Sequence, residues 1–141
     1  MSFELRAHTA DVAVSATAAD LGGVFAAVAD GLTAATCDEI PPEGERFTVT
    51  RRAESREALL FDYLDRLIYE RDVRNVLPAA HEARVTDGGA DAGDERWVVE
   101  ATARGVPLAA VDAREVKAVT YSEMDLSETV DGWQAYVVFD V

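Results

Sequence analysis

Two stretches of this chain carry apolar residues at helical spacing, and much of the rest alternates between apolar and polar residues. The first stretch follows Asp20, a residue type favoured at helix N-caps, and continues as far as Cys37. The second follows Ser55, another favoured N-cap, and carries an apolar stripe from Leu59 to Ile68. A helix with one apolar stripe must bury it against another element. The pattern therefore predicts two helices packed on a sheet.

The alternating stretches predict strands before, between and after these helices. They cover residues 3–6, 11–17, 45–52, 80–87, 95–104, 116–121, 124–129 and 133–140. A glycine- and acid-rich loop at 87–94 and the pair Asp131-Gly132 indicate hairpin turns. Because the helices come early and a run of strands comes late, we expect an α+β fold: a mostly antiparallel sheet with two helices packed on one face. Residues 1–141 should form a single domain.

Composition excludes several classes of protein. The net charge is −14, with 27 acidic and 13 basic residues, which argues against direct nucleic-acid binding. No stretch approaches the roughly 20 apolar residues of a membrane span, and no signal peptide is evident. The single cysteine, Cys37, excludes an internal disulfide and a cysteine-built zinc site. We therefore expect a cytoplasmic protein that does not bind membranes.

The basic residues are arginines apart from Lys117, which is the only lysine. An acidic, lysine-poor composition resembles proteins of a high-salt cytoplasm, where molar salt shortens the Debye length to about 3 Å. An acidic face that docks a partner is the alternative. Lys117 itself could mark a solvent-facing strand, or place a compact positive charge near a carboxylate or a partner's phosphate.

The last residues of the sequence concentrate oxygen donors. The apolar run 136–139 predicts a buried strand, and it is followed by Asp140 and Val141. A side-chain carboxylate next to a terminal carboxylate is unfavourable unless a cation or several donors hold both. We therefore expect Asp140 and Val141 to be held in place, with a metal ion as one means.

A second candidate segment is His8-Thr9-Ala10-Asp11, between the first two predicted strands. Its polar side chains could simply bond backbone amides in a tight connection. Alternatively, Asp11 is an oxygen ligand and His8 supports it or contacts a partner. A small hydrolase built on His8 and Asp11 is a weaker interpretation because no nucleophile is evident.

Other polar and aromatic residues have plain structural interpretations. Acids from Glu57 to Asp62 suit the N-terminal part of a helix without any function. Trp97 and Trp133 are expected in the core or in hairpin packing. His81 lies in an acidic strand and is expected to face solvent.

Four segments in this order resemble the archease family over nearly the whole chain. They are His8-Thr9-Ala10-Asp11, residues 57–69 of the second helix, Val116-Lys-Ala-Val-Thr-Tyr121, and Gly132-Trp133 leading to Asp140-Val141. Archeases are small α+β proteins that assist the RtcB-type RNA ligase of tRNA splicing and RNA repair. The resemblance implies that this protein promotes guanylylation of that ligase and its multiple turnover, without joining RNA itself.

The resemblance also implies site residues. It places a site for a divalent, calcium-like metal on Asp11, Asp140 and Val141. It implies that Lys117 contacts the ligase or its nucleotide pocket, with His8 as a further contact. Ser122 stands where the family often has histidine, and residues 71–76 depart from the usual aromatic-rich segment. A metal-stabilised, chaperone-like module with broader protein clients is the alternative function.

Overall fold

Nine regular elements and two short 3-10 turns make up the part of the chain that the computed structural model describes, residues 2–7 and 11–141. In chain order the elements are β1 (Ser2–Ala7), β2 (Asp11–Ala18), α1 (Leu21–Thr36), β3 (Glu45–Ala53), α2 (Arg56–Arg74), β4 (Val76–Asp87), β5 (Trp97–Pro107), β6 (Ala118–Thr129) and β7 (Gly132–Asp140). The 3-10 turns are Ala90–Glu95, inside the predicted loop, and Leu108–Ala110. In this part of the chain, neither helix has the length and apolar character to cross a membrane.

The strands form two antiparallel sheets. One has the order β1-β2-β7-β6 and the other the order β3-β5-β4. Helix α1 contacts β1, β2 and β7 of the first sheet and β4 of the second, while α2 contacts β6 and all three strands of the second sheet. The predicted α+β class with antiparallel pairing and two helices is confirmed. The strands divide between two sheets that both contact the helices, because each sheet has an apolar face to bury.

Both predicted N-caps are confirmed. The Asp20 carboxylate accepts a hydrogen bond from the Gly23 N–H at 2.6 Å, and the Ser55 hydroxyl oxygen accepts one from the Ala58 N–H at 3.1 Å. Helix α1 ends at Thr36, near the predicted limit, and α2 continues to Arg74. Each cap satisfies an amide that the helix itself leaves without a partner.

Helix α1 is buried along most of its length, which requires small residues where a sheet approaches it. A Cβ added to Gly22 would lie 2.5 Å from the Ala83 carbonyl oxygen of β4, and one added to Gly31 would overlap the Val14 side chain of β2. The two glycines therefore allow the two sheets to approach the same helix closely.

Two strands contain irregular register, and both irregularities affect which side chains face outward. In β4 the pairing with β5 shifts between Ala79 and Glu82, and in β6 the pairing with β7 shifts between Thr120 and Asp125. The two predicted strands 116–121 and 124–129 are thus one strand, which begins at Ala118 and carries a bulge.

Candidate functional site

One end of the four-stranded sheet gathers four of the predicted site residues, Asp11, Lys117, Asp140 and Val141. Strand β7 lies between β2 and β6, and its last residue, Asp140, pairs with Asp11 on one side and Ala118 on the other. The backbone N–H of Lys117 donates a hydrogen bond to the Asp140 carbonyl at 2.8 Å. Residues from opposite ends of the sequence therefore meet because β7 is central in this sheet. Val141 follows directly and is 41% exposed.

The Asp11 and Asp140 side chains project from the same face of the sheet. Directly opposite residues of an antiparallel pair share a face, with Cβ atoms typically about 4.5–5.5 Å apart. Asp11 is half-buried and Asp140 is exposed, and the small side chain of Ala118 lies on the other flank of Asp140. Like charges placed this way repel, so the pair favours any cation that could bind between them.

The donor chemistry at this end of the sheet fits a hard cation. Carboxylate oxygens are ligands that calcium prefers, and Val141 adds a backbone carbonyl oxygen beside Asp140. Across residues 2–7 and 11–141, no group of three or more His, Cys, Asp or Glu side chains is arranged to hold a metal ion. Side chains there contribute two carboxylates, so backbone oxygens or water would have to complete the coordination.

Lys117 is held by the irregular segment 112–117 that leads into β6. The Arg114 N–H donates to the Thr36 carbonyl at 2.6 Å, and the Arg114 guanidinium donates to the Ala35 carbonyl at 3.0 Å. The Arg71 guanidinium in turn donates to the Arg114 carbonyl at 2.9 Å. The C-terminal ends of both helices therefore hold the backbone that delivers Lys117 to Asp140, while the Lys117 side chain is exposed.

His81 is buried, so the expectation that it faces solvent is wrong. The bulge in β4 places Ala80 at a φ of 50°, and His81 then points into the protein with 5% exposure. Its Nε2 lies 2.9 Å from the Thr33 hydroxyl oxygen, and its backbone N–H donates to the Asp30 carboxylate at 3.1 Å. Burial lowers the pKa of His81 to about 3, against a smaller opposing effect of a hydrogen bond with Pro78.

The contacts of His81 form a buried polar cluster that the sequence interpretation missed. Burial raises the pKa of Asp30 above its ordinary value, although the hydrogen bond from the His81 backbone N–H lowers this pKa in part. Asp30, Thr33 and Thr36 recur every three residues in an otherwise apolar helix, and this spacing was the available signal. A cavity of about 20 Å³ adjoins Thr33, His81 and Val116, which is room for roughly one water molecule. The cluster ties α1 to β4 beneath the segment that carries Lys117.

His8, the remaining predicted contact, lies outside the described residues. Ser122 is exposed in the bulge of β6. Glu57 lies in the first turn of α2, as its structural interpretation predicts, and Trp97 and Trp133 pack against the core.

The chain is similar in sequence to proteins named archease. The model of the Archease protein family matches residues 3–141. Protein archease of Methanosarcina acetivorans is 31% identical over 143 residues, covering 99% of this chain and 95% of that protein. Protein archease of Thermococcus kodakarensis is 30% identical over 142 residues, covering 95% of this chain and 94% of that protein.

Two solved structures share the fold. The solution structure of Methanobacterium thermoautotrophicum protein 1598 superposes with a TM-score of 0.78 and 27% identity, covering 99% of this chain and 98% of that one. A Thermotoga maritima crystal structure, described as an archease and possible chaperone, superposes with a TM-score of 0.63 over 95% of this chain and 93% of that one; at 20% identity it shows the fold alone. With a family model that matches nearly every residue, this chain belongs to the archease family.

Proposed function

We propose that this protein is an accessory factor of an RtcB-type RNA ligase in tRNA splicing: it promotes guanylylation of the ligase and restores it for further turnovers. The observation that carries this proposal is the family match over residues 3–141. The net charge of −14 supports an accessory role, because a protein that gripped RNA directly would need basic surface. The RNA-joining chemistry then belongs to the partner.

The proposed site is the end of the four-stranded sheet, where Asp11, Asp140 and Val141 would hold a calcium-like cation. The pairing of Asp11 with Asp140 supports this, since two opposed carboxylates are a poor arrangement without a positive charge. A bound cation would supply that charge and join β2 to β7. Lys117 would present its exposed ammonium beside this site, where it could contact the ligase or phosphates in its nucleotide pocket.

Single-turnover guanylylation of the ligase tests this proposal. Asp11→Asn, Asp140→Asn and Lys117→Gln should each reduce the acceleration by at least about tenfold, which corresponds to roughly 1.4 kcal/mol. Glu128→Gln is the matched control, because Glu128 is an exposed acid near the opposite end of the same sheet, paired with Trp133. Full acceleration by both aspartate variants would exclude this site.

A chaperone-like module with broader clients is the second candidate. Phe3 and Leu5, on the edge strand β1, are 40% and 43% exposed, and such apolar surface can bind unfolded chains. If this is the function, a chelator should lower thermal stability and leave ligase activation intact. The protein should also suppress aggregation of unrelated heated proteins, and failure to do so would exclude the broader role.

A further inference from the structure

Within the described residues, four aromatic rings that are exposed or half-buried lie against the chain's own arginines. In the part of the chain that the structure describes, guanidinium–ring contacts join Arg66 to Tyr69 at 4.6 Å, Arg74 to Phe47 at 4.6 Å, Arg56 to Trp97 at 5.4 Å, Arg56 to Trp133 at 5.2 Å and Arg96 to Trp97 at 5.6 Å. These distances are within the range where the ring face attracts a cation. Arginine stacking is therefore a recurrent environment of surface rings in this protein.

The Phe61–Tyr121 pair is different. The two rings stack with centroids 4.1 Å apart and planes 7° from parallel, and Tyr121 is 55% exposed. None of the guanidinium–ring contacts seen in the described residues involves either ring. This exposed, pre-stacked aromatic surface therefore differs from the four arginine-covered rings.

The bulge in β6 presents Tyr121 to solvent. The pairing with β7 is interrupted between Thr120 and Asp125, Glu123 has a φ of 58°, and residues 121–123 are all exposed. A non-glycine residue in the left-handed region costs conformational energy, and bulges of this kind re-aim side chains. The stack on Phe61 then fixes the Tyr121 ring against α2.

The surroundings of the pair are acidic. Desolvation raises the pKa of Tyr121 above its ordinary value, and the charges of Asp62 and Glu54 raise it further. Desolvation also raises the pKa of Asp62; Arg51 lowers it in part. The negative charges of Glu54, Asp65 and Glu95 raise the pKa of Asp62 further. Acidic side chains therefore lie near the rings, with Arg51 as a neighbouring positive charge.

We infer that the Phe61–Tyr121 pair is a docking site for an arginine side chain of a protein partner, stacked on Tyr121 and paired with Asp62 and Glu54. Arginine fits better than lysine, because its planar guanidinium stacks on rings and is weakly hydrated. The carboxylates would repel the phosphates of a nucleic acid, so a stacked RNA base is disfavoured. The inference goes beyond the proposed function, since it names side chains other than Asp11, Asp140 and Lys117 and assigns them a ligand of stated chemistry.

A peptide titration tests the docking site directly. The probe is acetyl-Gly-Arg-Gly-Arg-Gly-amide, compared with the same peptide carrying citrulline, which keeps the shape and removes the charge. We expect the arginine peptide to shift the NMR signals of the Tyr121 and Phe61 rings, and the citrulline peptide to shift neither. Equal binding of the two peptides, no shift at Tyr121, or preferential binding of a short single-stranded RNA would overturn the inference.

Matched variants test whether the peptide binds at Tyr121. Tyr121→Ala and the isosteric pair Glu54→Gln with Asp62→Asn should each weaken binding at least about threefold, a conservative value for an exposed cation–π contact. Tyr69→Ala is the control, because Tyr69 is 50% exposed but already covered by Arg66. The charge-neutral pair keeps the test valid if Tyr121→Ala perturbs β6. Unchanged affinity in the charge-neutral pair would contradict the inference.

A ligase activation assay, run beside the peptide titration, distinguishes this inference from the proposed function. If the arginine peptide binds at Tyr121 and the ligase is not activated, the docking site stands and the ligase proposal fails. If the ligase is activated equally by wild type and Tyr121→Ala, and the peptide does not bind, the ligase proposal stands and the docking site fails.

Discussion

Asp11 and Asp140 lie directly opposite each other in the pairing of β2 with β7. At the same end of the sheet, the Lys117 backbone N–H donates a hydrogen bond to the Asp140 carbonyl. This arrangement combines two features that normally oppose each other. The strands need to pair so that the apolar residues of β7 are buried, yet the pairing places two carboxylates on one face. The balance between the burial of these apolar residues and the repulsion of the two carboxylates should be measurable as the free energy of unfolding.

Neutralising one of these carboxylates should stabilise the protein when no divalent cation is present. In EDTA, Asp140→Asn should raise the free energy of unfolding by about 0.2–1 kcal/mol, because it removes a like-charge cross-strand pair. With calcium at 100 times its dissociation constant, wild type should gain about 2.7 kcal/mol and the variant much less. Urea unfolding in EDTA and in calcium measures both effects, with Glu128→Gln as control. A wild type indifferent to calcium would count against the metal site.

Arg114 should control how firmly Lys117 is held. Arg114→Gln removes the guanidinium that reaches the Ala35 carbonyl at the end of α1. We expect the Lys117 amide, bonded to Asp140, to exchange its hydrogen roughly five to ten times faster, because about 1 kcal/mol of local hydrogen bonding is lost. Arg84→Gln is the control, since Arg84 forms an exposed ion pair with Glu100. Unchanged exchange at Lys117 would show that the segment is held by other contacts.

Buried His81 should make the protein acid-sensitive. Its pKa is near 3 in the folded state and about 6.5 when unfolded, so the unfolded chain binds the extra proton between these values. Its stabilising contribution is complete above pH 6.5 and declines as the pH falls towards 3, by up to roughly 1.4 kcal/mol per pH unit. The free energy of unfolding should therefore decrease more steeply in wild type than in His81→Gln.

Unfolding at a series of pH values between 7 and 4 measures that difference. The Asp30 carboxylate accepts a hydrogen bond from the His81 backbone N–H, which the substitution leaves in place. The titration of Asp30 therefore affects both proteins. Parallel curves for wild type and His81→Gln would contradict a buried neutral imidazole.

Helices and most strands were predictable because their signals are local. The N-caps Asp20 and Ser55 and the apolar spacing that follows them depend only on neighbouring residues. The meeting of Asp11 with Asp140 is not local, and only the family resemblance indicated it. The division of the strands into two sheets depends on which apolar faces compete for the helices, and periodicity does not encode that choice.

The misplaced residue, His81, has a physical cause in the change of register inside β4. His81 turns inward because Ala80 adopts a positive φ, a conformation that alanine gives no reason to expect. The exposure of Tyr121 follows in the same way from the bulge at Glu123. Val116 is buried before β6 begins, because Arg114 fixes the preceding segment to the helix ends. The orientation of the side chains at these positions therefore depends on tertiary contacts.

The most direct test of the central claim is an RNA ligation time course with an RtcB-type ligase limiting and RNA, GTP and divalent metal in excess. With this protein present, product should accumulate over many turnovers per ligase molecule, and without it product should stop near one. Asp140→Asn should behave much like omission of the protein, while Glu128→Gln should match wild type. If product accumulates equally with and without the wild-type protein, the proposed accessory role is wrong.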